Sequence, residues 1–186
     1  MPAEKHSREM LRKRRTHLLE AATLQDMRSR YGPELAAIVS KATGTELSVD
    51  AFDHNAATPS CFEWPVKVED APGLALAYVG RAKAKQLLEC LALRLRAVRG
   101  RLGFHDKRYF GLSSVIDVPL CSLLLIAEAA NDSPILYLEY PQGAILVDYY
   151  QSPGSEPYSV MIQGTALVSV ARECFEHAIR PLKSPT

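Results

Sequence analysis

The stretch PILYLEYPQGAILVDYYQ, Pro134 to Gln151, decides the fold. Two runs of β-branched, aromatic and leucine residues flank Pro141-Gln142-Gly143, the signature of a hairpin closed by a tight turn. With Pro141 pre-setting φ and Gly143 free to take positive φ, a type I turn with a glycine bulge is expected. Tyr140 then opposes Ala144. One face carries Leu136, Leu138, Tyr140, Leu146, Asp148 and Tyr150, and the other Ile135, Tyr137, Glu139, Ile145, Val147 and Tyr149. Both faces are mostly apolar, so the hairpin needs cover on each side: helices on one, and a helix, a second subunit or a ligand on the other. A two-residue Gln142-Gly143 turn would instead make Glu139 and Asp148 diagonal neighbours, a carboxylate pair suited to acid–base chemistry.

Working outward, the segment Glu4 to Arg30 has apolar residues at roughly helical spacing, interrupted by RKRR at 12–15. Tyr31-Gly32-Pro33 is expected to end it, with Pro33 opening a second helix and Gly44 lying just past that helix's end. Thr45 to Phe52 suggests a short strand and Asp53 to Trp64 a loop. PVKVED reads as an edge strand forming a hairpin with LALAYVG, Leu74 to Gly80. Arg81 to Gly100 is the clearest helix: Leu88, Leu91, Leu95 and Val98 recur by threes and fours, and Gly100 serves as terminator. RLGFHDKRYFGLSS reads as a polar connection. Strands follow at Val115–Glu128, Ile135–Tyr140 and Ala144–Tyr150, then a loop at QSPGSEP and a closing helix from Thr165 to Ile179. The expected fold class is α+β: an antiparallel sheet of four to six strands with amphipathic helices packed on one face and an N-terminal helical pair. Residues 1–52 form the helical segment and 65–180 the α+β body.

The net charge of +1 conceals segregation. Residues 1–30 hold eight Lys/Arg against four Asp/Glu, and 81–108 hold nine against two, whereas 109–170 hold six acids and no Lys or Arg. Basic helices beside an acidic sheet account for this. The overall balance does not favour nucleic acid as the partner. No window approaches the run of about 20 apolar residues that a membrane span requires, and the N-terminus does not read as a secretory signal. The chain is read as cytoplasmic, and its Ala, Leu and Arg usage suits a bacterial source. The four cysteines, widely spaced, are read as small hydrophobes in a reducing compartment.

Phosphate-binding, dinucleotide-binding, zinc-protease and serine-hydrolase signatures are absent, so no cofactor or metal is expected. Loop residues supply the weak catalytic candidates. His54 with Cys61 could form a nucleophile and its base, and His105 and Asp106 concentrate ionisable groups on a connection. Glu139 and Asp148 complete that set. Cys174 and His177, three apart on the last helix, would make half a metal site. Arg12, Lys13, Arg14 and Arg15 are the electrostatic handle for an acidic partner or phosphate, though no aromatic residues interleave with them to stack bases. Tyr137, Tyr149 and Tyr150 are candidates for binding through the sheet. The order of hairpin, loop and helix resembles the end of ligand-sensing domains attached to bacterial helix-turn-helix regulators. That resemblance covers under a third of the chain and extends to element order only, for no helix-turn-helix precedes it.

The leading functional expectation is a non-enzymatic regulatory or interaction protein that binds a protein partner or small ligand. A homodimer is one arrangement open to it. The alternatives are a small hydrolase- or transferase-type enzyme and a nucleic-acid-binding regulator.

Overall fold

A computed structural model describes residues 2–52, 73–95, 99–104, 109, 114–149 and 157–179. Among the described residues, six strands form one antiparallel sheet: β1 Leu74–Val79, β2 Arg99–Phe104, β3 Ser114–Asp117, β4 Pro134–Leu138, β5 Gly143–Tyr149 and β6 Tyr158–Gln163. Their spatial order is β1-β6-β5-β4-β2-β3, which puts the β4–β5 hairpin in the middle. The helices are α1 Pro2–Thr43, α2 Arg81–Leu95, α3 Ser122–Ala130 and α4 Thr165–Ile179. The α+β class, the antiparallel sheet and the closing helix agree with the sequence reading.

The hairpin register differs from the expected one. Leu138 opposes Gly143 and Tyr137 opposes Ala144, leaving a four-residue connection, 139–142, that contains a cis Tyr140–Pro141 bond. Tyr140 leaves the sheet for solvent (92% exposed), so it never opposes Ala144. Gly143 passes directly beneath the Gln163 carbonyl, in a space no side chain could share. Because the side-chain period along a strand is two, this odd shift exchanges the partners across the pair. Leu136, Leu138, Ile145, Val147 and Tyr149 share one face; Ile135, Tyr137, Ala144, Leu146 and Asp148 share the other.

Both faces are nevertheless buried. The first joins the main core, where Leu102, Leu136, Ile145, Val160 and Ile162 meet Leu87, Leu88 and Leu91 of α2, Leu123 and Ile126 of α3, and Leu167 and Ala171 of α4. The second is a separate cluster of Ile135, Tyr137, Ala144, Leu146 and Met161, with Leu74 and Leu76 against it. Among the described residues, strands alone build this second cluster.

Other local expectations are overturned. The N-terminal helical pair is one continuous helix, α1, with Pro33 inside it. Proline removes one helical donor, but Leu35, Ala36 and Val39 around it are buried, and Ser122 Oγ of α3 donates to the Ala42 carbonyl at 2.8 Å. Tertiary packing therefore outweighs the local break. Gly44, at φ 73°, ends the helix as expected.

Thr45 to Phe52 is not a strand, because it folds back on α1. Leu47 N donates to Ser40 Oγ at 2.8 Å, Arg28 binds the Val49 carbonyl and Asp50, and a 3-10 turn at Val49–Ala51 leads into fully buried Phe52. The expected strand Val115–Glu128 is two elements, β3 and α3. A short apolar run rich in Leu and Ala carries no period that separates strand from helix, and Asn131 in the left-handed conformation caps the helical outcome.

RLGFHDKRYFGLSS, which reads as a polar connection, begins instead inside β2. Gly100, expected to stop α2, is a strand residue pressed against the sheet: a Cβ there would lie 2.5 Å from the Tyr137 carbonyl oxygen. Strand β6, which carries no clear alternation, was not anticipated. The PVKVED strand lies outside the described residues.

Two of the four cysteines depart from the reduced reading. Cys90 of α2 and Cys174 of α4 form a disulfide with a Cα–Cα distance of 5.7 Å, while Cys121 is free. This bond also removes Cys174 as a metal ligand.

Candidate functional site

The expected site residues fall in four places. Lys13, Arg14 and Arg15 are exposed on the first half of α1, and Arg12 lies in the same turns. Tyr137 sits nine-tenths buried in the second-face cluster. Tyr149, on the first face, is half-buried, with its ring centroid 5.1 Å from that of Tyr158. His54, Cys61, His105, Asp106 and Tyr150 lie outside the described residues, as does the side chain of His177.

Glu139 and Asp148 are not brought together. Glu139 is exposed in the 139–142 connection, whereas Asp148 lies five residues along β5 from Gly143, about 17 Å at a strand's rise per residue. Asp148 accepts a hydrogen bond from Ser133 Oγ at 2.6 Å, which ties the start of β4 to β5. Among the described residues no group of three His, Cys, Asp or Glu is placed to hold a metal ion.

The structure assembles one ionisable cluster that sequence reading missed. Arg81 opens α2, Glu128 lies near the end of α3, and Tyr158 starts β6. Arg81 Nε donates to Glu128 Oε1 at 2.6 Å and Nη2 to Oε2 at 3.3 Å, a two-pronged guanidinium–carboxylate pair. The buried Tyr158 hydroxyl donates to the same Oε1. Thus one carboxylate joins three elements. The only trace in sequence is an acid inside the apolar run VPLCSLLLIAEAA, and nothing local identifies residues 47 and 30 positions away as its partners.

The hydrogen-bonded Arg81 guanidinium holds the Glu128 carboxyl below its ordinary range; burial opposes this and the Tyr158 hydroxyl reinforces it. Burial foremost, with Glu128 beside it, pushes Tyr158 up to about 12. A depressed carboxyl adds stability above its unfolded pKa and loses it as pH falls through the folded value. A raised phenol adds stability below its unfolded pKa of about 10 and loses it as pH rises toward the folded value. E128Q is therefore expected to flatten the acid limb of a stability–pH curve and Y158F the alkaline limb. Urea midpoints between pH 3 and 11 check this, and unchanged limbs in both variants would refute it. E128A should cost about 1–3 kcal/mol, chiefly because it strands the buried Tyr158 hydroxyl.

A second feature lies at the turn end of the hairpin. A cavity of about 510 Å³ is lined by Tyr137, Gln142, Ala144, Gln163, Thr165 and Ala166, among others. It opens beside the second face, where β5, β6 and the start of α4 converge.

No known family, curated protein or solved structure matches the chain. What these residues define is an α+β protein with a six-stranded antiparallel sheet, and its function must be argued from its own surfaces.

Proposed function

We propose that the chain is a non-catalytic interaction protein, in which the α+β body displays the first half of α1 to a protein partner. The observation that supports this is the contrast along α1. Its 42 residues extend about 63 Å at a helix's rise per residue. From Leu35 onward it is bedded in the core, yet up to Asp26 every described side chain is exposed. That exposed length carries Met10, Leu18 and Leu19, at 62%, 64% and 60% exposure, beside Lys13, Arg14 and Arg15.

A helix that presents large apolar side chains and a cation cluster together suits a partner's apolar groove with an acidic rim. Much of the hairpin, the other expected binding surface, is already occupied by its own packing, which shifts the weight to α1. The regulatory role, the bacterial source and the compartment belong to the same proposal.

The test compares the full chain with L18D/L19D and R14E/R15E variants. Affinity capture and quantitative mass spectrometry identify partners, and sedimentation velocity measures self-association. Both substitutions are at exposed positions and should leave the unfolding midpoint within about 0.5 kcal/mol of wild type. A partner, or a second copy, should lose at least tenfold in affinity with L18D/L19D and bind more weakly at high salt. If every interaction survives L18D/L19D, the proposal fails. Retention on nucleic acid with a steep salt slope, lost only in R14E/R15E, would replace a protein partner with a nucleic acid.

A further inference from the structure

We propose that the cavity at the turn end of the second sheet face is a binding site for a small uncharged molecule that carries an N–H or O–H donor on an apolar ring. The cavity is independent of α1, so this inference does not rest on the interaction reading. At about 510 Å³ it lies within the range of small-molecule sites, about 300–1,000 Å³.

Its lining specifies the ligand. Among the described residues no Lys, Arg, Asp or Glu contributes to the wall, so a fully charged ligand would be desolvated without a counter-ion there. Tyr137, Leu138 and Ala144 supply apolar surface against which a flat ring can lie. One polar group stands out: Gln163 Oε1 is buried and accepts no hydrogen bond. An unpaired buried acceptor is unfavourable to leave and favourable to satisfy, and this one belongs to a residue of the cavity wall. A ligand N–H or O–H is the complement it lacks.

The backbone around the site has little freedom. Gly164 has φ 114°, and a Cβ on it would lie 2.5 Å from the Gln142 carbonyl oxygen. Gly143 is equally confined beneath Gln163. The wall is therefore built by close main-chain contacts between the start of β5 and the β6–α4 junction, which favours a preformed site over one assembled around its ligand.

The test is a titration of the full ¹⁵N-labelled chain, followed by amide chemical shifts, with three probes: benzamide, N,N-dimethylbenzamide and benzoate. Benzamide offers an N–H donor and a ring. Its dimethyl derivative keeps the carbonyl and ring but has no donor, and benzoate replaces the donor with charge. Benzamide is expected to shift amides at 142–144 and 163–166, with the dimethyl compound and benzoate binding about tenfold more weakly.

In Q163M, which removes the acceptor at similar volume, benzamide should fall to the level of the dimethyl compound. A166W, at an exposed position in the first turn of α4, should block the cavity while preserving the dispersion of the spectrum. Four outcomes would each overturn the proposal: no shifts at the solubility limit of benzamide, shifts confined to other regions, equal binding of the dimethyl compound, or tighter binding of benzoate. The last would assign the cavity to an anion held by α4 amides instead.

Discussion

Removal of the Cys90–Cys174 bond is expected to lower the unfolding free energy by roughly 2–5 kcal/mol. The two cysteines are 84 residues apart, and a cross-link restricts the unfolded chain more as the loop it closes lengthens. In the folded state the bond joins α2 to α4 on the first sheet face. The exposed Arg94–Glu173 ion pair lies between the same two helices and contributes at most about 1 kcal/mol, so among the described residues the disulfide is the main covalent or ionic tie between them. C90A/C174A is the informative variant, since alanine leaves no stranded hydroxyl at Cys174, which is only 1% exposed.

Urea unfolding of the variant should coincide with that of the wild type in a thiol reductant, and both should lie well below the oxidised wild type. Thiol titration of the denatured protein should find two more thiols after reduction than before. An identical midpoint and thiol count with and without reductant would show that the bond does not form. The result also bears on compartment. Disulfides persist in oxidising surroundings and are uncommon in the cytosol, so the bond and a cytoplasmic location pull in opposite directions.

What could be read from the sequence followed the range of the interactions concerned. Helix α4 was found at its correct ends because Leu167, Ala171 and Phe175 repeat at helical spacing and are buried together. The central hairpin was found because its strands are dense in strand-forming residues and bounded by turn residues. Its register was not, because Glu139, Tyr140, Pro141 and Gln142 all leave the ladder together. That outcome depends on Gly143 fitting beneath Gln163, which lies 20 positions away. Strand β2 failed for a similar reason: Gly100 signals a helix stop locally, but its role is close approach to β4.

The disulfide, the Arg81–Glu128–Tyr158 cluster and the cavity share this property. Each joins residues 20 or more positions apart, and no spacing rule within one element identifies them. The exposed half of α1, by contrast, leaves a trace in the sequence: RKRR at 12–15 interrupts the apolar spacing, so the run offers no continuous apolar face to bury.

Leu146→Ala is expected to destabilise the protein by about 2–5 kcal/mol, the usual cost of emptying a fully buried leucine site. Leu146 is 0% exposed, but it lies on the second sheet face, away from the core that the helices share. Its neighbours Ile135, Tyr137, Ala144 and Met161 project from three strands, its own β5 among them, and strands of a fixed sheet cannot close around a cavity as readily as loops can. A shift in urea midpoint of about 1 M or more is therefore expected.

Leu19→Ala, at 60% exposure on α1, is the matched control and should change stability by no more than about 0.5 kcal/mol. The pair of variants discriminates between the two candidate surfaces of the molecule. If Leu146→Ala costs under 1 kcal/mol, the second face is not packed as core, and the hairpin rather than α1 becomes the surface that a partner covers. If it costs the full amount while Leu19→Ala costs nothing, the apolar residues of the hairpin serve the fold. Those of α1 then have no folding role, as the proposed display of α1 to a partner requires.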